Sequence, residues 1–194
     1  MHHESLSSRP AASPVLHRFF FALVPPAREA RRTVAQAERL GPEWRLQAAS
    51  RLHVTLAITA DHTDYPHALL ERLVCVGDRV AAAPFTLTLD RLVLAHRSAA
   101  LRPSRTDKAL TTLNQAITAQ MRAAAIPMRE AWRFAPHMTL GYRASGALET
   151  RTVPALGWHA DAFVLIHSAA GLTRHRCLQR WPLIAPRDDQ YSLF

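Results

Sequence analysis

Apolar positions along the chain recur with two periods, and the switches between them outline an α+β protein. Residues 18–24, RFFFALV, form a short continuous apolar run that ends at Pro25-Pro26, which predicts a buried strand. A helix is expected from Pro26 or Ala27 to about Leu40, where Gly41-Pro42 stops it. Residues 43–47 are a short strand candidate. Residues 52–59, LHVTLAIT, alternate and are rich in β-branched side chains, so they predict a strand, with a turn at 61–64. Leu69, Leu70, Leu73, Val76 and Val80 fall on one face of a helix over 66–82, and Cys75 within it reads as a core residue. Residues 85–95 begin with strict alternation: Phe85, Leu87 and Leu89 point one way, Thr86 and Thr88 the other. A turn at 96–99 and a short segment at Leu101 lead to a helix over 106–125, with Leu110, Leu113, Ile117 and Met121 at helical spacing. Strands are expected at 137–143, 162–168 and 177–184, the last with Pro182 at an edge or strand end. The stretch from 144 to 161 receives no element. Residues 1–16 and 186–194 are polar and read as loose tails around one domain at 17–185.

A second pattern is superimposed on the first. One half of the chain reads strand, helix, Trp44, LHVTL; the other reads strand, helix, Trp132, PHMTL. The echo suggests two similar α+β lobes facing each other. It also repeats one chemical unit, His53-Val54-Thr55-Leu56 and His137-Met138-Thr139-Leu140. With 11 His, 14 Thr and 25 Leu in the chain, chance supplies about 0.1 copies of His-x-Thr-Leu, so two copies have a chance probability on the order of half a per cent. Side chains at i and i+2 of a strand share a face. His53 and Thr55 therefore point together, with Val54 and Leu56 behind them. His137 and Thr139 do the same, backed by Met138 and Leu140. If both strands line one cleft, two imidazoles and two hydroxyls converge.

That set suits a phosphodiester. A histidine with a pKa near 6.5 can be neutral or charged at neutral pH, so one can take a proton from water while the other gives one to a leaving oxygen. Threonine hydroxyls can hold non-bridging phosphate oxygens.

Composition narrows the field. The chain has 194 residues, enough for one sizeable domain or two lobes sharing a core. No run approaches the length of a membrane span, and no secretion signal is read at the N-terminus. Cys75 and Cys177 are too few for a disulfide framework, so a cytoplasmic protein is expected. The formal charge is +9, and Lys108 is the only lysine, so the excess is arginine, whose planar fork suits phosphate. The groups Arg28, Arg31, Arg32 and Arg102, Arg105 could follow an RNA backbone or simply be solvated. His159, His167 and His175, spaced by eight, and His62 and His67, spaced by five, match no zinc pattern; they read as surface or core histidines, and His2-His3 lies in the tail. No phosphate-binding G-x-x-x-x-G-K-[ST] occurs, and Lys108 lacks the setting of a nucleotidyl-accepting lysine. No metal or cofactor is expected.

The chain resembles the 2H phosphoesterase superfamily, in particular the bacterial and archaeal RNA 2′,3′-cyclic phosphodiesterases, also called 2′-5′ RNA ligases. The likeness runs from about Arg18 to Ile184 and rests on RFFFALVPP, LHVTL, PHMTL, and LIHS followed by CLQRWPL. It implies a bilobal fold with two antiparallel sheets facing a central cleft and helices outside. It implies hydrolysis of a 2′,3′-cyclic phosphate to a 2′-phosphate, with His53 as proton donor, His137 as proton acceptor, and Thr55 and Thr139 gripping the phosphate. RNA ends or small cyclic nucleotides are then the expected partners, and a monomer the expected state. The chain departs from its relatives at Tyr142, where they often carry Arg, with Arg143 following; both are candidate substrate-binding residues. Cys177 stands where relatives often have an aromatic residue. Two other readings stay open: a non-catalytic RNA- or nucleotide-binding module with the same cleft, and a ligase or transferase acting on 2′-5′ substrates.

Overall fold

A computed structural model describes residues 15–105, 107–170 and 174–185. The expected tail at 1–16 lies outside the described residues as far as residue 14, and Leu16 at its end opens β1; the expected tail at 186–194 and the expected helix start at Thr106 also lie outside them. In chain order the elements are β1 (Leu16–Leu23), α1 (Ala27–Ala37) continued by a 3₁₀ turn (Glu38–Leu40), β2 (Arg45–Leu46), a 3₁₀ turn (Ala49–Arg51), β3 (Val54–Ile58), α2 (His67–Asp78), β4 (Phe85–Leu94), β5 (Ser98–Arg102), α3 (Lys108–Ala123), β6 (Met138–Tyr142), β7 (Glu149–Ala160), β8 (Ala162–Ala170) and β9 (Arg174–Pro182). None of the described helices is long and apolar enough to cross a membrane.

Every expected strand and helix is present, and two strands are added: β7, and β5, which takes up the short segment at Leu101 together with Ser98 and Ala99 of the expected turn. β7 escapes the periodic reading because only Leu156, Trp158 and Ala160, at its end, are buried in alternation. Its first half is exposed and carries Pro154. An edge strand tolerates both: β7 pairs only with β4, and Pro154 falls where that register shifts, between Leu89 and Arg91 of β4. Cys75 is a correction. The buried positions of α2 are Leu69, Leu73, Val76 and Gly77. Cys75 lies two residues, roughly 200° of helix, beyond Leu73 and is exposed.

The strands run in the order β7-β4-β5-β6-β3-β1-β8-β9, with β2 added to β6. Reading outward from the middle, β3 mirrors β6, β1 mirrors β5, β8 mirrors β4 and β9 mirrors β7. The chain passes from β1 through α1 to β3, and from β5 through α3 to β6, so the echo in the sequence is a repeated strand–helix–strand unit. The two antiparallel lobes meet where β3 and β6 touch, at the single register pair Val54–Met138.

The faces divide by alternation. Phe19, Phe21 and Leu23 of β1 join the buried sides of the three helices in the main core. Phe20 and Ala22 point the other way and form a small cluster with Val164 and Ile166. The helices therefore cover one face, and the opposite face is left to line a cleft.

Both His-x-Thr-Leu units carry the same irregularity. β1 pairs Ala22 with Thr55 and Phe21 with Ala57, which leaves Leu56 as an extra residue. β5 pairs Ala100 with Thr139 and Ala99 with Gly141, which leaves Leu140 as the extra one. Each is a β-bulge whose leucine is buried in the main core. A bulge withholds a backbone carbonyl from the ladder, and each is supplied with a donor. Asn114 Nδ2 of α3 donates to Leu56 O at 2.6 Å, and Gln47 N donates to Leu140 O at 2.7 Å. Gly141 follows the second bulge because a Cβ there would stand 2.9 Å from the Arg45 carbonyl of β2.

Asn114 is buried and polar. Replacing it with Leu should strand the Leu56 carbonyl and lower stability by about 1–3 kcal/mol, read as a reduced urea midpoint at unchanged m. A midpoint equal to that of the wild type would show that the bulge does not need this donor.

Candidate active site

His53 and His137 each sit one residue ahead of a strand, and each ring is tied in the same way. His53 Nδ1 donates to Arg51 O at 2.7 Å; His137 Nδ1 donates to Ala135 O at 2.7 Å. In both cases the acceptor is the carbonyl two residues back. A carbonyl can only accept, so Nδ1 carries the hydrogen and Nε2 is left as the working nitrogen of each neutral ring. Counting along the antiparallel pair from Val54–Met138 sets His53 across from Thr139 and Thr55 across from His137. The four polar motif side chains thus alternate around one small patch, backed by fully buried Val54 and Met138.

The cleft over this patch has a volume of about 310 Å³ and is lined by His53, Thr55 and Thr139 together with Phe20, Arg51 and His175, among others. That size suits a small ligand or the end of a larger one. Among the described residues no carboxylate lines it. Arg18, at one edge, is held by a two-pronged pair with Asp61, 2.6 Å on each arm. With no carboxylate in its described lining, the site can accept an anion.

The two histidines share a frame but not a setting. His53 is packed against Phe20, ring centroids 4.8 Å apart, and against His175 at 5.3 Å, edge to face. Burial holds His53 below the usual histidine range, its bond to the Arg51 carbonyl works against that, and charge on His137 and Arg51 adds to the lowering. This setting favours the neutral ring, and an anion placed beside it would favour the charged one.

A profile of the 2'-5' RNA ligase superfamily matches residues 24–172, more than half of the chain and all four polar motif residues. The chain belongs to that superfamily. Among solved structures, Escherichia coli LigT complexed with 3′-AMP is 26% identical, with a TM-score of 0.74, over 87% of this chain and 98% of LigT. A structure described as a phosphoesterase is 26% identical, with a TM-score of 0.75, over 86% of this chain and 98% of its own. A Thermus thermophilus protein shares the fold at 20% identity and a TM-score of 0.68, over 87% of this chain and 98% of its own. No curated protein matches the sequence. The molecule has the LigT-like 2H phosphoesterase fold expected from its motifs.

The remaining candidates of this superfamily member separate. The bulge at Leu140 resets the alternation of β6, so Tyr142 joins Thr139 in lining the cleft and stays 42% exposed. Arg143 turns away. Its guanidinium donates to the carbonyls of Ala95, His96 and Ala147 and lies over Trp44, 4.4 Å from the ring centroid. Cys177 is exposed on β9 and does not line the cleft. Arg28, Arg31, Arg32, Arg102 and Arg105 do not line it either. His159 is exposed, and His167 pairs with His17 at 2.9 Å on the helix side of β1. Among the described residues no three His, Cys, Asp or Glu gather as metal ligands would.

His175 corrects the reading of that series as surface or core histidines. It packs against both Phe20 and His53 in the cleft wall, and its Nδ1 is buried without a partner among the described residues, as is Arg51 Nε. Nothing local to His175 marks it. The available signal was the alternation of β1, which turns Phe20 away from the core and needs something to cover it.

Burial first, then charge on His53 and Arg51, pushes His175 down to about 4. A folded-state pKa below the unfolded value means that the unfolded chain binds the proton more readily, so stability falls as pH drops from about 6.5 towards about 4. His175→Phe keeps the ring contacts and removes the proton site. Its urea midpoint should fall less than the wild type's between pH 7 and pH 4.5; equal losses would refute the assignment.

Proposed function

We propose that the protein hydrolyses a 2′,3′-cyclic phosphate at the end of an RNA or on a nucleotide to a 2′-phosphate, by general acid and base catalysis from two histidines. The observation that carries this reading is the matched pair of Nδ1–carbonyl locks, which leaves Nε2 as the working nitrogen of His53, in the wall of the cleft with Thr55 and Thr139, and of His137, which the β3–β6 register sets opposite Thr55; the described lining of the cleft holds no carboxylate. LigT's complexes with 3′-AMP and with phosphate support a nucleotide phosphate as the ligand class.

Thr55 and Thr139 hold the non-bridging oxygens, and Tyr142 faces the nucleoside. Arg143 adds positive charge from behind. His137 Nε2 takes a proton from water, whose oxygen forms the new bond to phosphorus. The bond from phosphorus to the 3′-oxygen breaks, and His53 Nε2 gives that oxygen its proton. The product carries a 2′-phosphate and a 3′-hydroxyl; exchange with solvent restores both rings. A 5′-hydroxyl in place of water gives a 2′-5′ linkage by the same steps, which is the ligation the superfamily is named for. The cyclic phosphate's own negative charge favours the charged form of His53 when the donor is needed.

An RNA ending in a 2′,3′-cyclic phosphate, incubated in EDTA, should yield a 2′-phosphate. His53→Ala and His137→Ala should each lower kcat roughly 10²–10⁴-fold with the fold intact by circular dichroism. Near-normal turnover in either variant rejects the mechanism, and tight binding without product favours a binding module.

The pH profile tests the order of the two roles. With His53 as donor, kcat/KM reports the free protein and should fall as pH rises through the lowered His53 pKa, whereas kcat reports the complex and should hold to higher pH. If the lowered group instead sets the acid limb, the roles are reversed.

A further inference from the structure

A second cavity opens beside the histidine cleft and shares one wall with it. It is lined by Glu43, Arg45, Arg97, Ser98, Tyr142 and Arg143, with a volume of about 610 Å³, and Tyr142 also lines the cleft. The register explains the arrangement. Tyr142 lies opposite Arg45 of β2 on one side and opposite Ser98 of β5 on the other. Cross-strand partners project from the same face, with neighbouring strands about 4.8 Å apart. Three strands thus present a row of Arg45, Tyr142 and Ser98, with Arg97 at the turn before β5. Along β6, Tyr142 is three residues from Thr139, or roughly 10 Å at strand rise, about one nucleotide's reach from the reacting phosphate.

The charges of this cavity are not spent. The ion pairs among the described residues join Arg18 to Asp61, Arg151 to Glu149 and Arg180 to Asp161. Arg45 and Arg97 are exposed. Glu43 is the one carboxylate in the described lining, against three guanidinium groups. Arg143 is fixed by its carbonyl bonds and Trp44, so its charge cannot swing out to solvent. A fixed positive floor, two free arginines and an exposed aromatic ring between this cavity and the cleft match a single-stranded nucleic acid, whose backbone wants cations and whose bases want a flat face.

Resting on the hydrolase reading, we propose that this second cavity binds the phosphodiester preceding the reacting end of an RNA strand, with the intervening base stacked on Tyr142. The preferred substrate is then an oligonucleotide end rather than a cyclic mononucleotide.

The test compares a dinucleotide ending in a 2′,3′-cyclic phosphate with the cyclic mononucleotide, using the wild type and the Arg45→Gln, Arg97→Gln double variant. The wild type should favour the dinucleotide at least about tenfold in kcat/KM. The double variant should lose that preference while its rate on the mononucleotide is unchanged. Equal rates on the two substrates in the wild type, or a preference that survives in the double variant, overturn the proposal.

Binding of a short RNA with a 3′-phosphate, followed by fluorescence anisotropy against salt, separates this idea from the hydrolase reading. Loss of one phosphate contact should make the slope of log K against log salt shallower by about 0.7. If neither cyclic substrate is turned over and the slope still falls in the double variant, the hydrolase reading fails and the RNA site stands. An unchanged slope removes the site.

Discussion

The protein's chemistry hangs on the contact between β3 and β6. Two antiparallel lobes meet there at Val54–Met138 and nowhere else along the strand path. One pair suffices to bring four polar side chains together, because antiparallel pairing fixes which residues fall opposite each other. The bulges at Leu56 and Leu140 then bend both strands beside the junction. Each bulge leaves a carbonyl that must be satisfied, and the fold answers with Asn114 from α3 in one lobe and the Gln47 backbone in the other. The leucine of each motif is thus the anchor of a distortion, and the threonine before it is held by the same distortion.

The two histidines have equal frames and unequal surroundings. Both rings are fixed by a carbonyl two residues upstream. Around His53 the lobe adds Phe20 and His175, and burial there favours the neutral ring. Acid–base chemistry near neutral pH needs two groups whose protonation differs, and a near-symmetric site obtains that from packing. Among the described residues the cleft lining holds no carboxylate that would counter the lowered pKa of His53.

Much of this was legible in the order of residues. Apolar periodicity located β1, β3, β4, β6, β8 and the three helices, and the repeated His-x-Thr-Leu singled out the four polar residues that the β3–β6 register brings together, as well as Val54 and Met138 behind them. The missed elements share a cause. β7 is an edge strand with one half in solvent, so its outward residues follow no pattern. Cys75 was read from the composition of its neighbours, whereas its angle around α2 decides its exposure. His175 and the division of labour between Tyr142 and Arg143 depend on partners far away in the chain: His53 and Phe20 for the first, a bulge and Trp44 for the second.

By itself the sequence determined most of the elements, the buried side of most of them, and the chemical groups placed two residues apart on the exposed sides of two strands. Those follow from local stereochemistry and the period of the backbone. Only the tertiary structure decided that the two units face each other, which ring is buried, where Arg143 spends its hydrogen bonds, and that a second basic cavity adjoins the first. These are matters of register and packing between segments that can lie more than a hundred residues apart, as Phe20 and His53 do from His175, and no local pattern encodes which side chain a distant strand will set against a given histidine.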